Sequence, residues 1–213
     1  MPGADGSLPH ESSKGLLRAI QAHYAREDRR FGVYAVTGAG EFVPSSLENV
    51  HLGLAKLMAE GLLRSNQTFL DAGSGDGRIV ILASLVFGLK TFGVEYDDAL
   101  WRRSLANAAV FRPFYRTEEA PPTIWCGDFC DEDTYIRHGT AFGNFDVVFN
   151  YANDHHRLAA KVAQDGAEHV LFLYYAPSPY PESFHGLMAI RSLALGNATS
   201  QRGSYLHAYW KKD

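Results

Sequence analysis

The chain has two textures. Between 13 and 61 the apolar residues recur every three or four positions: Leu16, Leu17, Ile20 and Tyr24, then Val50, Leu54, Leu57 and Met58. That spacing gathers them on one side of a helix, so two amphipathic helices are expected. Ser12 or Ser13 can cap the first, Ser46 opens the second, and Gly61 is a suitable stop. Between them, "FGVYAVTGAGEFVPSS" (31–46) carries glycines and a proline and reads as a loop.

From Thr68 onward, short apolar, β-branched or aromatic runs alternate with helical stretches. The strand candidates are "TFLDA" (68–72), "TFGVE" (91–95), "TIWCGD" (123–128), "FDVVFN" (145–150) and "EHVLFLYY" (168–175). Helices are expected over 77–87, 97–111 and 153–164, with a short one between the third and fourth strands. Strands apolar throughout and separated by helices indicate parallel βαβ units with both sheet faces covered. At the end the rhythm changes: "LMAIRSLAL" and "YLHAYWKK" flank the turn-rich "GNATSQRG", the pattern of an antiparallel hairpin on one sheet edge. The expected fold is α/β, a Rossmann-like doubly wound sheet of seven strands, five parallel plus a C-terminal antiparallel hairpin. Three regions are expected: a disordered 1–12, a helical 13–67 that forms a lid over cofactor and substrate, and a core at 68–213.

Composition narrows the partners. With 46% hydrophobic residues the chain can bury a substantial core, and a net charge of −4 leaves no basic surplus for neutralising nucleic-acid phosphates. Cys126 and Cys130 are too few for a disulfide framework, and their spacing leaves no second pair for zinc. No run approaches the roughly 18 apolar residues of a membrane span, and "MPGADGSLPHESS" lacks the pattern of a signal peptide. A cytoplasmic setting without a membrane span is the expectation.

The chemistry concentrates at "DAGSGDGR" (71–78), which follows the first strand of the alternating region. In open α/β sheets ligands bind at the carboxyl ends of strands, where strand order reverses. Gly73 allows a tight turn; Ser74 sits inside the loop; Gly75 and Gly77 would let the main chain approach a ligand. A phosphate loop needs Lys then Ser or Thr, and Arg78-Ile79 fails that test. The dinucleotide pattern needs a third glycine where Arg78 stands. The acid Asp71 is awkward beside a diphosphate but suits a ligand with an ammonium group and no phosphate, such as S-adenosylmethionine. Glu95 ends the next strand, placed to accept from ribose hydroxyls, with Tyr96 beside it to pack on adenine. Asp128 and Phe129 follow the third strand and offer an acceptor and a cover for the same ring.

With these residues in place, the sequence over roughly 40–213 resembles the class I, seven-strand S-adenosylmethionine-dependent methyltransferases. Two branches look closest. The non-SET histone-lysine methyltransferases have a "GE" loop, "D-L-G-S-G-x-G", "GVE", "GDF" and an Asn-aromatic-Ala segment; here stand "AGEF" (39–42), "DAGSGDG", "GVE", "GDF" and "FNYAN" (149–153). A small family of lysine methyltransferases acting on membrane-protein subunits is similar in "FVPSS" and "DAGSGDGRIV". The resemblance implies that Glu41, Phe42 and Pro44 close over the cofactor, and that Asn150 and Tyr151 face the transferred methyl group. The Asp/Asn-Pro-Pro-Tyr signature of many amide and base N-methyltransferases is replaced by "NYAN".

The expected reaction is N-methylation of a protein lysine. The alternatives are a small-molecule N- or O-methyltransferase and a non-catalytic S-adenosylmethionine-binding module; a nicotinamide oxidoreductase lacks the right third glycine. The acceptor partner is therefore a protein or a small molecule. Phe31, Tyr34, Phe42, Tyr151, Tyr174, Tyr175 and Tyr180 are dense near the expected rim, and "YYAPSPYP" (174–181) is suited to a substrate wall. "NDHHR" (153–157) raises one further idea, a general base or, with Asp128, a metal site. Adjacent helical side chains diverge by about 100°, which favours a helix start capped by Asn153 or Asp154 and no metal.

Overall fold

The computed structural model describes residues 13–38, 40–115, 120–151, 153–196 and 204–212. The expected disorder at 1–12 and most of the "GNATSQRG" turn lie outside the described residues.

Helix α1 (Ser13–Phe31) buries Ile20, His23 and Tyr24. The segment read as a loop contains instead a small antiparallel hairpin, β1 (Ala35–Thr37) and β2 (Gly40–Phe42). Its strands are three residues long and largely exposed, so no apolar alternation betrays them. Helix α2 (Leu47–Ala59) starts where Ser46 accepts a hydrogen bond from the Asn49 amide and buries Leu47, Val50, Leu54 and Leu57. Truncating a fully buried leucine such as Leu54 to alanine should cost about 2–5 kcal/mol.

The alternating region follows as β3 (Thr68–Ala72), α3 (Arg78–Phe87), β4 (Lys90–Glu95), α4 (Asp98–Phe111), β5 (Thr123–Cys126), α5 (Glu132–Ile136), β6 (Val147–Tyr151), α6 (His155–Asp165), β7 (Leu171–Ala176), β8 (Leu187–Leu195) and β9 (Ser204–Lys211). The seven strands order as β5-β4-β3-β6-β7-β9-β8. Strands β3 to β7 pair in parallel; β9 runs antiparallel between β7 and β8. The expected architecture holds, five parallel strands with a hairpin at the edge.

Alternate residues of each central strand enter opposite cores, as the two-residue period of a strand requires. Phe69, Val147, Phe149, Leu171, Leu173 and Tyr175 join α1, α2 and α3 on one face. Leu70, Val148, Phe172 and Tyr174 meet Tyr135, Phe142 and the α6 residues Leu158 and Val162 on the other. Tyr174 and Tyr175, read earlier as rim aromatics, are thus core residues of β7, each about 3% exposed. Strand order reverses between β3 and β6, and that is where the sheet opens.

Candidate active site

A cavity of about 360 Å³ lies at the carboxyl ends of β3, β4 and β6. Its wall includes Glu41, Phe42, Pro44, Asp71, Gly73, Ser74, Gly75, Glu95, Tyr96, Asp128, Phe129 and Tyr151. Residues separated by more than a hundred positions in sequence therefore converge, as the switch point of a doubly wound sheet allows. Gly77 and Asn150 are not part of that wall.

The glycines have distinct reasons. Gly73, Gly75 and Gly77 all have positive φ (83°, 55° and 82°), which favours glycine at each. A Cβ on Gly75 would stand 2.6 Å from the Phe42 ring, so the hairpin's last residue lies directly on the loop. A Cβ on Gly77 would stand 2.9 Å from Ser104 Cβ on α4. Close packing against α4 is thus a second requirement for glycine at position 77.

The loop is clamped from behind. Arg78 donates to both oxygens of Asp76 (3.0 and 2.7 Å) and to Asp28 of α1 (2.7 Å), with its guanidinium 4.7 Å from the centre of the Tyr24 ring. The Asp76 carbonyl accepts from Tyr24 Oη at 3.1 Å and from Asn107 Nδ2 at 2.9 Å. Both acids hold the guanidinium above its usual range despite its burial. Tyr24 stands out in the sequence only as an apolar position of the first helix, and Asp28 and Asp76 not at all; the packing of α1 on α3 unites the three.

In front, the carboxylates differ. Glu95 accepts from the Gly75 amide at 2.7 Å and the Asp97 amide at 2.9 Å. Its burial still raises its carboxyl above the usual range. Asp71 is 3% exposed, and its carboxylate makes no hydrogen bond or ion pair among the described residues. Burial, then the like charges of Glu95 and Asp76, push its carboxyl well above the usual range. Asp128 is satisfied: one oxygen accepts from the Cys130 amide at 2.7 Å and the other from Arg157 at 2.8 Å.

Asn150 is fully buried; its Nδ2 donates to the carbonyls of Ala72 (2.8 Å) and Asn153 (3.0 Å). It ties the end of β3 to the segment after β6, while its Oδ1 has no partner among the described residues. Tyr151 does reach the cavity wall, with its ring 4.8 Å from Tyr175. Glu41, also in the wall, accepts from Tyr34 Oη at 2.8 Å on the exposed hairpin. In the His-His run, Asp154 caps nothing through its side chain, and both it and Asp128 pair with Arg157.

The donor set can be tested for a cationic, zwitterionic ligand. The wall presents a buried carboxylate with neither a counter-charge nor a hydrogen bond among the described residues, Asp71, and a buried hydroxyl without a partner there, Ser74 Oγ. Both are groups that an ammonium or carboxylate would satisfy, so the residues fit.

Solved methyltransferases share this fold. The chain aligns with an RNA methyltransferase from Salinibacter ruber in complex with S-adenosyl-L-homocysteine at 16% identity and a TM-score of 0.55, over 80% of this chain and 95% of that one. A putative methylase from Haemophilus influenzae matches at 16% identity and a TM-score of 0.56, over 85% and 99%. A putative Haloferax volcanii methyltransferase, solved with its Trm112 activator, matches at 14% and 0.55, over 78% and 92%. No curated protein matches the chain. The family model for the histone methylation protein DOT1 matches residues 40–150, more than half of the chain, and the chain belongs to that family. Family and fold together make it an S-adenosylmethionine-dependent methyltransferase.

Proposed function

We propose that the protein methylates the side-chain nitrogen of a lysine in another protein, using S-adenosylmethionine held in the cavity at the ends of β3, β4 and β6. The observation that carries the cofactor's place is Asp71, a buried carboxylate facing the cavity with no positive partner among the described residues. In this reading Asp71 takes the cofactor's ammonium, Ser74 and the Gly73–Gly75 turn its amino-acid end, and Glu95 the ribose through its remaining lone pairs. Tyr96 and Phe129 flank the adenine, with Asp128 beside it. The 13–67 segment serves as the lid, with its Phe42 already seated on Gly75.

S-adenosylmethionine supplies an activated methyl group on a sulfonium, so no protein nucleophile is needed. The chain's own residues must align the acceptor, exclude water and leave the amine unprotonated. Alignment of this kind is worth up to roughly 7–11 kcal/mol in well-oriented intramolecular models. Tyr151 lies on the cavity wall, and its half-buried phenol is held neutral by desolvation, so it can donate a hydrogen bond but brings no charge. An aromatic, poorly hydrated approach also lowers a lysine's pKa. Asn150 acts as a positioning residue that holds the two strand ends together; Gly77 supports the loop from behind. The two free cysteines, Cys126 and Cys130, suit a cytoplasmic setting.

The protein-lysine acceptor is supported by the histone-methylation description of the family. Incubating the protein and a lysate with methyl-labelled S-adenosylmethionine, then separating protein from small molecules, tests it. Label in acid-stable methyl-lysine is expected. Label confined to metabolites would replace the acceptor, and cofactor binding without any transfer would reduce the protein to a binding module.

A further inference from the structure

Outside the cavity, the start of α6 meets the loop after β7 in a cluster of metal-ligand chemistry. His155 Nε2 and His156 Nε2 lie 3.2 and 3.3 Å from the same Glu182 oxygen, Oε2. The donor atoms of all three residues fall within 4.8 Å of one another. We propose that His155, His156 and Glu182 form a zinc site that fastens the 177–186 loop to α6.

The distances also fit an ion. Without one, His155 and Glu182 share a hydrogen bond of 3.2 Å, longer than the about 2.7–2.9 Å of a charge-assisted bond. Ligands at about 2.0–2.1 Å from a tetrahedral zinc stand about 3.3–3.4 Å apart, the length of a tetrahedron's edge. Both nitrogen–oxygen separations match that edge. The first turn of α6 also overcomes the divergence expected of neighbouring helical residues, since the two imidazole centres are only 4.3 Å apart.

The surroundings are those of a supported site. Tyr174 Oη donates to the other Glu182 oxygen, Oε1, at 3.2 Å, and the Tyr174 ring stacks on His155 at 4.7 Å. Tyr209 Oη donates to the Glu182 carbonyl at 3.1 Å, which fixes the loop's backbone. Such outer partners orient ligands in metal sites. The side chain of His156 is 71% exposed, so the fourth position faces solvent. Three protein ligands leave the fourth position of a tetrahedral zinc to water.

The test needs no methyl transfer, so it stands or falls apart from the proposed acceptor. Metal-free protein is titrated with Zn²⁺ alone by calorimetry, with Co²⁺ in parallel for its four-coordinate absorption. One ion per chain is expected, together with a thermal midpoint that rises with Zn²⁺. Glu182→Gln and His156→Ala should each lower Zn²⁺ affinity at least tenfold; the exposed His156 makes that variant safe for folding, which circular dichroism checks. No binding, or binding unchanged in both variants, would overturn the site.

Discussion

Glu95 holds the Gly75 amide at 2.7 Å across the mouth of the sheet, joining the end of β4 to the loop after β3. The same carboxylate takes the Asp97 amide, so both of its oxygens are engaged by backbone. Glu95→Gln keeps the shape but turns one acceptor into a donor facing an N–H. An orphaned buried amide costs about 1–3 kcal/mol. Faster hydrogen exchange at Gly75 and Asp97 and weaker S-adenosylmethionine binding are expected; unaltered exchange at both would show that the clasp does not order the loop.

Asp71 sets affinity against stability. Asp71→Asn removes a buried charge, so the ligand-free variant should melt no lower than the parent at neutral pH. A hydrogen bond to a charged group contributes about 1.5–3 kcal/mol, so binding of S-adenosylmethionine should weaken about 10- to 150-fold. Calorimetry and thermal melts check the two halves separately.

Protonation gives a pH signature. The folded Asp71 and Glu95 carboxyls are raised by burial, so folding is favoured where they are protonated, and this contribution is lost as pH rises through the folded values. A cationic ligand needs Asp71 ionised and pulls its pKa back down. Affinity should therefore climb with pH through a range above the ordinary carboxylate value of about 4, then level off. Binding within that range should release a proton, visible when calorimetry is repeated in buffers of different ionisation enthalpy. A flat profile and no proton release would contradict the placement of the ammonium at Asp71.

Gly75→Ala would thrust a methyl group into Phe42 at a position with φ of 55°. Overpacking of this sort costs about 1–3 kcal/mol. The clash half of that cost should vanish in a Phe42→Ala background and the backbone half should remain, so a double-mutant cycle in urea should give a non-zero coupling.

Arg78→Ala leaves Asp76, almost wholly buried, beside no counter-charge except Arg103 at 3.7 Å. Breaking a buried pair by removing one partner costs about 3–5 kcal/mol. Urea unfolding measures that loss, and a change below 1 kcal/mol would mean that the pair is not desolvated as its burial implies.

The sheet was legible because its strands are apolar on both faces, and only a parallel, covered sheet buries such runs. Asp71, Glu95, Tyr96 and Phe129 were legible because a motif fixes them at strand ends, and the strand order then brings them to one cavity. What escaped depends on contacts between distant segments. Gly77 looks like its neighbours in the motif, yet it meets Ser104 because α4 crosses behind it. Glu182 lies in a proline-rich loop with no pattern of its own, and it gains meaning only where α6 places two imidazoles against it. The hairpin at 35–42 was hidden because its three-residue strands bury little.

Arg78 is shared between Asp28 on the first helix and Asp76 in the glycine turn. An engineer seeking a minimal catalyst by deleting everything ahead of β3 would therefore strip a guanidinium of half its anchorage and slacken the bend that, in the proposed function, grips the donor. On that proposal, shortened versions of this chain should lose ligand capture before they lose their sheet.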